Sequence, residues 1–413
     1  MKGTRKRVVV TGFGAISPLG HDWASAQARL RQARNVIRTI DEWEAYEGLH
    51  TRLGAPAQPF ELPAHYNRKS TRSMGRVALM ATRASELALA DAGLLGDAFV
   101  KSGRMGIAYG SSAGTPAAVG DFGRMMAEKT TEGINANTYI KMMSHTAAVN
   151  IGVFFGVTGR IVTTSSACTS GSQGIGYAFE AIQQGKQVAM LAGGAEELDA
   201  TEAAVFDTLF ATSVRNDEPE QTPRPFDAGR DGLVLGEGAC TLVLEELDHA
   251  RARGARIHAE LIGWGTNSDG VHVTHPSPET MAQAMRLALD DAGLPAQAIG
   301  YVNAHGTATD QGDIAESVAT RAVLGEAVPI SSLKSYMGHT LGACGALEAW
   351  LTIEMMRAGW FAPTVNLVTP DPRCAPLDYI VGGGRELQTD IVMSNNFAFG
   401  GINTSLIFRR WPD

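Results

Sequence analysis

Short runs of apolar, largely β-branched residues alternate with segments of helical periodicity along almost the whole chain. This alternation constrains the fold to an α/β arrangement, because continuous apolar strands need cover on both faces. Val8–Thr11 is expected as a strand entering a glycine-broken loop, Gly12–Gly20. Met74–Ala92 has apolar residues at helical spacing and stops at Gly93, a C-cap residue. Gly106–Tyr109 and Ile161–Ser165 are expected as strands, Cys168–Gln184 as a helix closed by Gly185, and Val188–Ala192 as a further strand. A second unit starts near His258. There Ala259–Gly265 restarts with a strand and a glycine turn that echo Val8–Gly14, followed by a helix over Pro278–Ala292 and a strand over Tyr301–Ala304. The chain is therefore expected to fold as two halves, residues 1–257 and 258–413, related by a diverged duplication.

Composition narrows the function. A chain of 413 residues buries a full core without disulfides or a structural metal. Lys and Arg total 35 against 43 Asp and Glu, a net charge of −8, which gives no sequence-independent grip on nucleic acid. Glycine reaches 47 residues, about 11% against an ordinary ~7%, without a repeat, which implies tight turns and close backbone approaches. The basic start is followed only by Val8-Val9-Val10, too short for a signal peptide. The uncharged stretch Ile161–Phe179 is too rich in Thr, Ser and Gly for a membrane span. Cys168, Cys240, Cys344 and Cys374 are far apart with no paired spacing, which predicts neither a zinc site nor a disulfide framework and suits a reducing cytoplasm. A soluble cytoplasmic enzyme is expected.

Cys168 falls where the strand Ile161–Ser165 turns into a helix. Unpaired N–H groups and the positive end of the helix dipole would favour a thiolate there, below the free thiol value of about 8.5. Position alone leaves two readings open, a nucleophile or a buried structural cysteine. The other three cysteines lack this setting and are expected in the core. His305, in Asn303-Ala-His-Gly-Thr-Ala-Thr309, directly follows an apolar strand. His339, in Lys334-Ser-Tyr-Met-Gly-His339, lies between a second strand and the helix Leu341–Arg357. Both stand at strand ends facing helix starts, where α/β proteins assemble sites. The run Asn395-Asn-Phe-Ala-Phe-Gly-Gly-Ile-Asn403 could form a turn exposing backbone N–H groups beside a phenyl ring, or a tight hairpin with packed rings.

Taken together, Ser-Ala-Cys168-Thr-Ser-Gly, Asn-Ala-His305-Gly-Thr-x-Thr, Lys334-x-x-x-Gly-His339 and Asn-Phe-x-Phe399-Gly-Gly-x-Asn stand in an order and at separations that resemble one family. It is that of the elongating β-ketoacyl–acyl-carrier-protein synthases of type II fatty-acid synthesis. Arg224–Gly238 and the opening Val8–Gly20 support the likeness, which covers nearly the whole chain. The resemblance implies a thiolase-like αβαβα fold of two duplicated halves and a decarboxylative Claisen condensation. Cys168 would carry the acyl group, with the N–H groups of Cys168 and Phe399 as oxyanion hole. Neutral His305 and His339 would hydrogen-bond the enolate formed from malonyl-carrier protein. Lys334 would supply positive charge with Glu348 as its partner, the bland alternative being a purely structural ion pair. Thr307 and Thr309 would contact phosphopantetheine, Phe399 would gate the site, and Phe206 would be its counterpart.

The resemblance also implies no metal and no bound organic cofactor, an acyl carrier protein as partner, and a homodimer or a heterodimer with another ketosynthase-like subunit. Arg68, Lys69, Arg72 and Arg76 place four positive charges within nine residues, a patch that could steer an acidic carrier protein or form a solvated helix start. Ala113 stands where a bulkier aliphatic often floors the acyl pocket, and Met142 lies in an unusual stretch where the family lines it across a dimer interface. These departures resemble synthases of specialised pathways, aryl-polyene pigments among them. A degradative thiolase, a non-catalytic partner of the chain-length-factor type and a binding module without turnover are the alternatives.

Overall fold

The computed structural model describes residues 5–412. Its principal elements are β1 (Val8–Ile16), α1 (Arg76–Asp91), β2 (Met105–Gly110), α2 (Thr146–Phe155), β3 (Ile161–Thr164), α3 (Ser170–Gln183), β4 (Ala189–Glu196) and β5 (Gly238–Glu246). They continue with β6 (Ala259–Ser268), α4 (Pro278–Ala292), β7 (Tyr301–Asn303), α5 (Asp310–Leu324), β8 (Pro329–Ser331), α6 (Cys344–Ala358), β9 (Ile391–Phe397) and β10 (Ile402–Arg410). The strands run in the order β3-β2-β4-β5-β1-β6-β10-β9-β7-β8, with a two-residue edge strand, Asp378–Tyr379, beyond β8.

That order is symmetric about its middle. Within each group of five, the outer three strands pair in parallel and the inner ones antiparallel. The seam between the groups is short: Val8, Val9 and Val10 face Leu261, Glu260 and Ala259. Helices α1 and α2 cover the outer face of the first group, and α4 and α5 that of the second. Helices α3 and α6 fill the space between, packing on each other and on strands from both groups. Helix α6 is buried continuously from Cys344 to Met356, so it is apolar nearly all round instead of amphipathic. The result is the αβαβα layering expected of a thiolase-like fold.

The glycines at the seam correct one expectation. Strand β1 does not break at Gly12 but runs on to Ile16, with a bulge at Thr11. Gly12 and Gly14 are there for clearance. A methyl group at Gly12 would lie 2.4 Å from the Ala88 carbonyl oxygen, and one at Gly14 only 2.0 Å from that of Ala84. The second half repeats the device: Gly263 would meet Ala288 at 2.4 Å and Gly265 would meet Ala284 at 2.2 Å. Between each pair of glycines a backbone N–H donates to a carboxylate at the end of the covering helix, Phe13 to Asp91 at 2.9 Å and Trp264 to Asp291 at 3.2 Å. The sequence echo thus corresponds to one local packing solution used twice.

Overfilling that contact has a measurable cost. Gly14→Ala should lower stability by about 3 kcal/mol, because backbone atoms of a packed helix cannot retreat. Gly120→Ala, a helical position with nothing within 4 Å of the added methyl, should leave it unchanged or slightly raised. Thermal and denaturant unfolding of the two variants against the parent chain compares them directly.

Candidate active site

Three chain turns converge where α3 and α6 begin. The first is a tight turn over Ala167–Thr169, with Ala167 at φ 51°, a left-handed conformation that an alanine adopts only when its surroundings force it. The Ser170 hydroxyl donates to the Ala167 carbonyl at 2.7 Å and accepts the Ser166 N–H at 3.0 Å, tying the turn down. Cys168 is therefore presented just before α3, not as part of it. Gly171 lets α3 approach the start of α6, since a methyl group there would lie 2.9 Å from the Gly342 carbonyl oxygen.

The second turn carries His339. Gly338, at φ 69°, ends the short helix Lys334–Met337 and turns the chain so that His339 Nε2 lies 2.9 Å from Cys168 Sγ. The Leu341 N–H points at His339 Nδ1 from 3.3 Å, which places the neutral ring's proton on Nε2. The third turn follows β7 and presents His305 edge-on to His339, with ring centroids 5.2 Å apart. Two carboxylates hold this loop by its backbone. Glu316 accepts the N–H groups of His305 and Gly306, both at 2.7 Å, and Asp313 accepts those of Thr307 and Ala308, both at 3.1 Å.

Behind the histidines, Lys334 Nζ donates to Glu348 Oε1 at 2.5 Å, and Asn396 donates to Glu348 Oε2 at 2.7 Å. Burial works against the Lys334 ammonium, yet Glu348 and Cys344 hold its pKa above the ordinary lysine value. Burial first, and then the charge of Lys334, push both His305 and His339 well below the usual imidazole value, so both rings are neutral at pH 7. Cys168 departs from the expectation of a depressed pKa. Burial pushes its thiol up to about 11, although Lys334 and the N–H groups of Phe399 and Cys168 act in the opposite direction. Both N–H groups face the sulfur, and desolvation outweighs them in the resting state.

The sulfur and the two histidine nitrogens lie within 4.8 Å of one another, a spacing that a thiophilic metal ion could bridge. The His339 tautomer opposes ligation, because a ligating nitrogen must be unprotonated while its partner nitrogen donates outward. Here Nδ1 accepts and Nε2 donates. The cluster is built to offer hydrogen bonds.

Cys168, His305, His339, Phe206, Thr307, Thr309 and Phe399 line one cavity of about 370 Å³. The Phe206 and Phe399 rings stand 5.1 Å apart beside the sulfur, and the Thr307 and Thr309 hydroxyls are 2.9 Å apart. Lys334 and Glu348 stand behind the cavity wall. Ala113 and Met142 are not on the wall in a single chain: Ala113 is exposed, with its N–H directed at Glu196, and Met142 is half-buried with its carbonyl under Gly114. Arg68, Lys69 and Arg72 are exposed, and no ion pair engages them among the described residues. Arg68 and Arg72 line a separate cavity of about 580 Å³ together with Lys141. Arg76 does not belong to the free patch, because its Nε and Nη2 both donate to the Glu237 carboxylate.

Sequence reasoning passed over several contributors. Cys344, read as core, directs its thiol to the Cys168 carbonyl oxygen at 3.2 Å; its place one helical turn before Glu348 was the available signal. Asp313 and Glu316, in the first turns of α5, were visible as acidic residues following the Thr-x-Thr loop. Glu196, which accepts from Ser111, Ser112, Ala113 and Gly342, gave no local signal.

Residues 5–250 match the family described as Beta-ketoacyl synthase, N-terminal domain, and residues 258–368 match Beta-ketoacyl synthase, C-terminal domain. Over 413 residues the chain is 36% identical to the 3-oxoacyl-(acyl-carrier-protein) synthase 2 of Synechocystis sp., covering 98% of this chain and 99% of that protein. A crystal structure of a β-ketoacyl synthase from Burkholderia phymatum STM815 superposes with a TM-score of 0.97 at 62% identity, over 98% of this chain and all, 100%, of the other. The ishigamide ketosynthase/chain length factor superposes with a TM-score of 0.90 at 32% identity, over 99% and 100% of the two chains. With the family models matching most of the chain and a full-length relative at 36% identity, the chain belongs to the β-ketoacyl synthase family.

Proposed function

We propose that this chain elongates carrier-bound acyl groups by two carbons, condensing them with malonyl-carrier protein. The observation that carries the reading is the Nε2–H of neutral His339, 2.9 Å from Cys168 Sγ, in a cavity shared with His305. In the first half-reaction Cys168 Sγ bonds to the acyl carbon, and the carrier thiol leaves with the proton. In the second, the malonyl C–CO₂ bond breaks and its electron pair passes into an enolate, whose oxygen accepts hydrogen bonds from His305 and His339. The enolate carbon then bonds to the acyl carbon, the C–S bond breaks, and the sulfur regains a proton. Neutral donors suit an anionic enolate, and each well-placed donor is worth about 3–4 kcal/mol of barrier. Burial, and then the charge of Lys334 held by Glu348, keep both rings neutral.

A thiolase would use a second cysteine at the reacting carbon, whereas Cys344 is directed at the Cys168 carbonyl and does not line the cavity. The presence of Cys168 separates the chain from a non-catalytic partner subunit. The reading calls for no metal and no bound organic cofactor, since the carrier's phosphopantetheine brings both substrates past Thr307 and Thr309. Arg68, Lys69 and Arg72 supply long-range attraction for an acidic carrier protein. A second copy completes the molecule at β3. This edge strand leaves Ile161 exposed beside Val149 and Val153, the latter 78% exposed, an aggregation hazard unless paired. Ala113 and Met142 lie towards that side, and the small Ala113 suits a broad acyl channel for conjugated, polyene-type chains.

Intact-protein mass spectrometry with saturated and polyenoic acyl-carrier proteins should show one acyl group on Cys168, favouring conjugated chains, and none on Cys168→Ala. Labelling by acetyl-coenzyme A with no labelling from any carrier protein would instead identify a thiolase. Alkylation of Cys168 by iodoacetamide should accelerate about tenfold per pH unit from about pH 7 through about pH 9, because the thiolate forms only as pH approaches a raised pKa. Malonyl decarboxylation, which depends on histidines that are neutral well below their usual value, should stay level from about pH 8 down to about pH 6. Val153→Glu should convert a dimer into a monomer in light scattering at unchanged helix content.

A further inference from the structure

The mouth of the catalytic cavity has a composition that steering by basic residues does not explain. Leu209, Phe210 and Val273 form part of its rim, and Val205 and Val271 extend the apolar surface outward. Phe210 is 88% exposed, Val271 85% and Val273 67%. Exposed apolar residues are ordinary when scattered, but a cluster around an opening marks a contact surface.

Phe210 is unusual in its backbone as well. It follows the helix Ala200–Asp207, its N–H bonded to the Asp207 carbonyl at 2.9 Å, and sits at φ 52°. That left-handed position after a helix end normally selects glycine or asparagine. A bulky ring there is held out in solvent by a conformation it does not prefer, with no packing inside the chain in return. Outliers of this kind gather at functional surfaces.

The charges at the mouth point the same way. Among the described residues lining the cavity, Arg230 is the one lysine or arginine, and its guanidinium is committed to Asp371 at 2.6 Å and to the carbonyls of Asp310 and Thr309. Asp231, Asp269 and Asp310 also line the opening. An acidic partner therefore finds no free positive group at the rim. Arg68 and Arg72 belong to the other cavity.

We infer that Phe210, with Leu209 and Val273, is the short-range docking surface for the carrier protein, receiving an apolar face beside its phosphopantetheine attachment point. This rests on the condensing reading above. Whatever protein tethers the substrate must sit over this opening for its arm to reach Cys168, so the occupant of the patch follows from the continuity of rim and cavity. Steering and docking are thereby divided: Arg68, Lys69 and Arg72 act at a distance, and the apolar rim makes the close contact. The helix that precedes Phe210, Ala200–Asp207, also carries Phe206 on the cavity wall.

The test compares acylation of the full chain by an octanoylated acyl carrier protein and by octanoyl-N-acetylcysteamine, which carries no protein. Phe210→Asn suits the left-handed position and removes the ring, so folding is preserved or improved. It should raise KM for the carrier-bound group about tenfold, the range of an interface anchor, and leave the small thioester's constants unchanged. Phe210→Trp should retain parental KM. The tenfold effect should persist at about 0.5 M salt, where steering is screened. Equal losses with both substrates, no loss with either, or a loss that vanishes in high salt would each overturn the docking surface. If the parent chain accepts the small thioester but no carrier-bound acyl group, the condensing reading fails first and the surface with it.

Discussion

The buried ion pair between Lys334 and Glu348 is the interaction on which the site depends. Two charges removed from water at the centre of a protein are tolerable only as partners, and removing either would cost about 3–5 kcal/mol. The pair is kept where hydrophobic replacements would serve packing as well, and its surroundings explain its use. Lys334 disfavours a proton on His305 and His339 and acts against the desolvation of Cys168. Burial and this one cation, held by Glu348, together keep both rings neutral, while at Cys168 burial prevails over it. The same helix that supplies Glu348 supplies Cys344 one turn earlier, so the charge pair and the nucleophile's backbone are held by a single rigid element.

Much of this architecture was legible from residue patterns. The helix over Pro278–Ala292 was predicted to the residue, and the strands flanking the two histidines fell where their apolar runs lie. The strand break expected at Gly12 did not occur, because glycine in a strand signals either a turn or a helix passing too close for a side chain. Only the tertiary neighbours Ala84 and Ala88 distinguish these. The site was legible as motifs: Cys168, His305, His339, Phe399 and the two threonines do meet around one cavity. The charge state of Cys168 was not legible. A helix start predicts a low pKa, while the depth of burial that reverses it is a property of the assembled layers. Arg76 looked like its basic neighbours until Glu237, distant in sequence, was placed beside it.

The duplication has left the halves alike in scaffold and unlike in chemistry. Both use paired glycines, a covering helix and a carboxylate that receives the intervening N–H. Cys168 comes from the first half and both histidines from the second, so the cavity forms only where the two inner helices pack together. Neither half contains all three of these side chains.

The protonated resting state of Cys168 has a consequence for the lifetime of the protein in the cell. Peroxides and electrophilic metabolites consume thiolates far faster than thiols. A nucleophile stored as a thiol under the Phe206 and Phe399 rings is largely invisible to such reagents, whereas one activated in advance would be damaged during every idle interval. Desolvation, which costs reactivity between turnovers, acts as chemical shelving. On the condensing reading proposed above, the sulfur would become reactive only as a thioester carbonyl enters beside the Cys168 and Phe399 N–H groups.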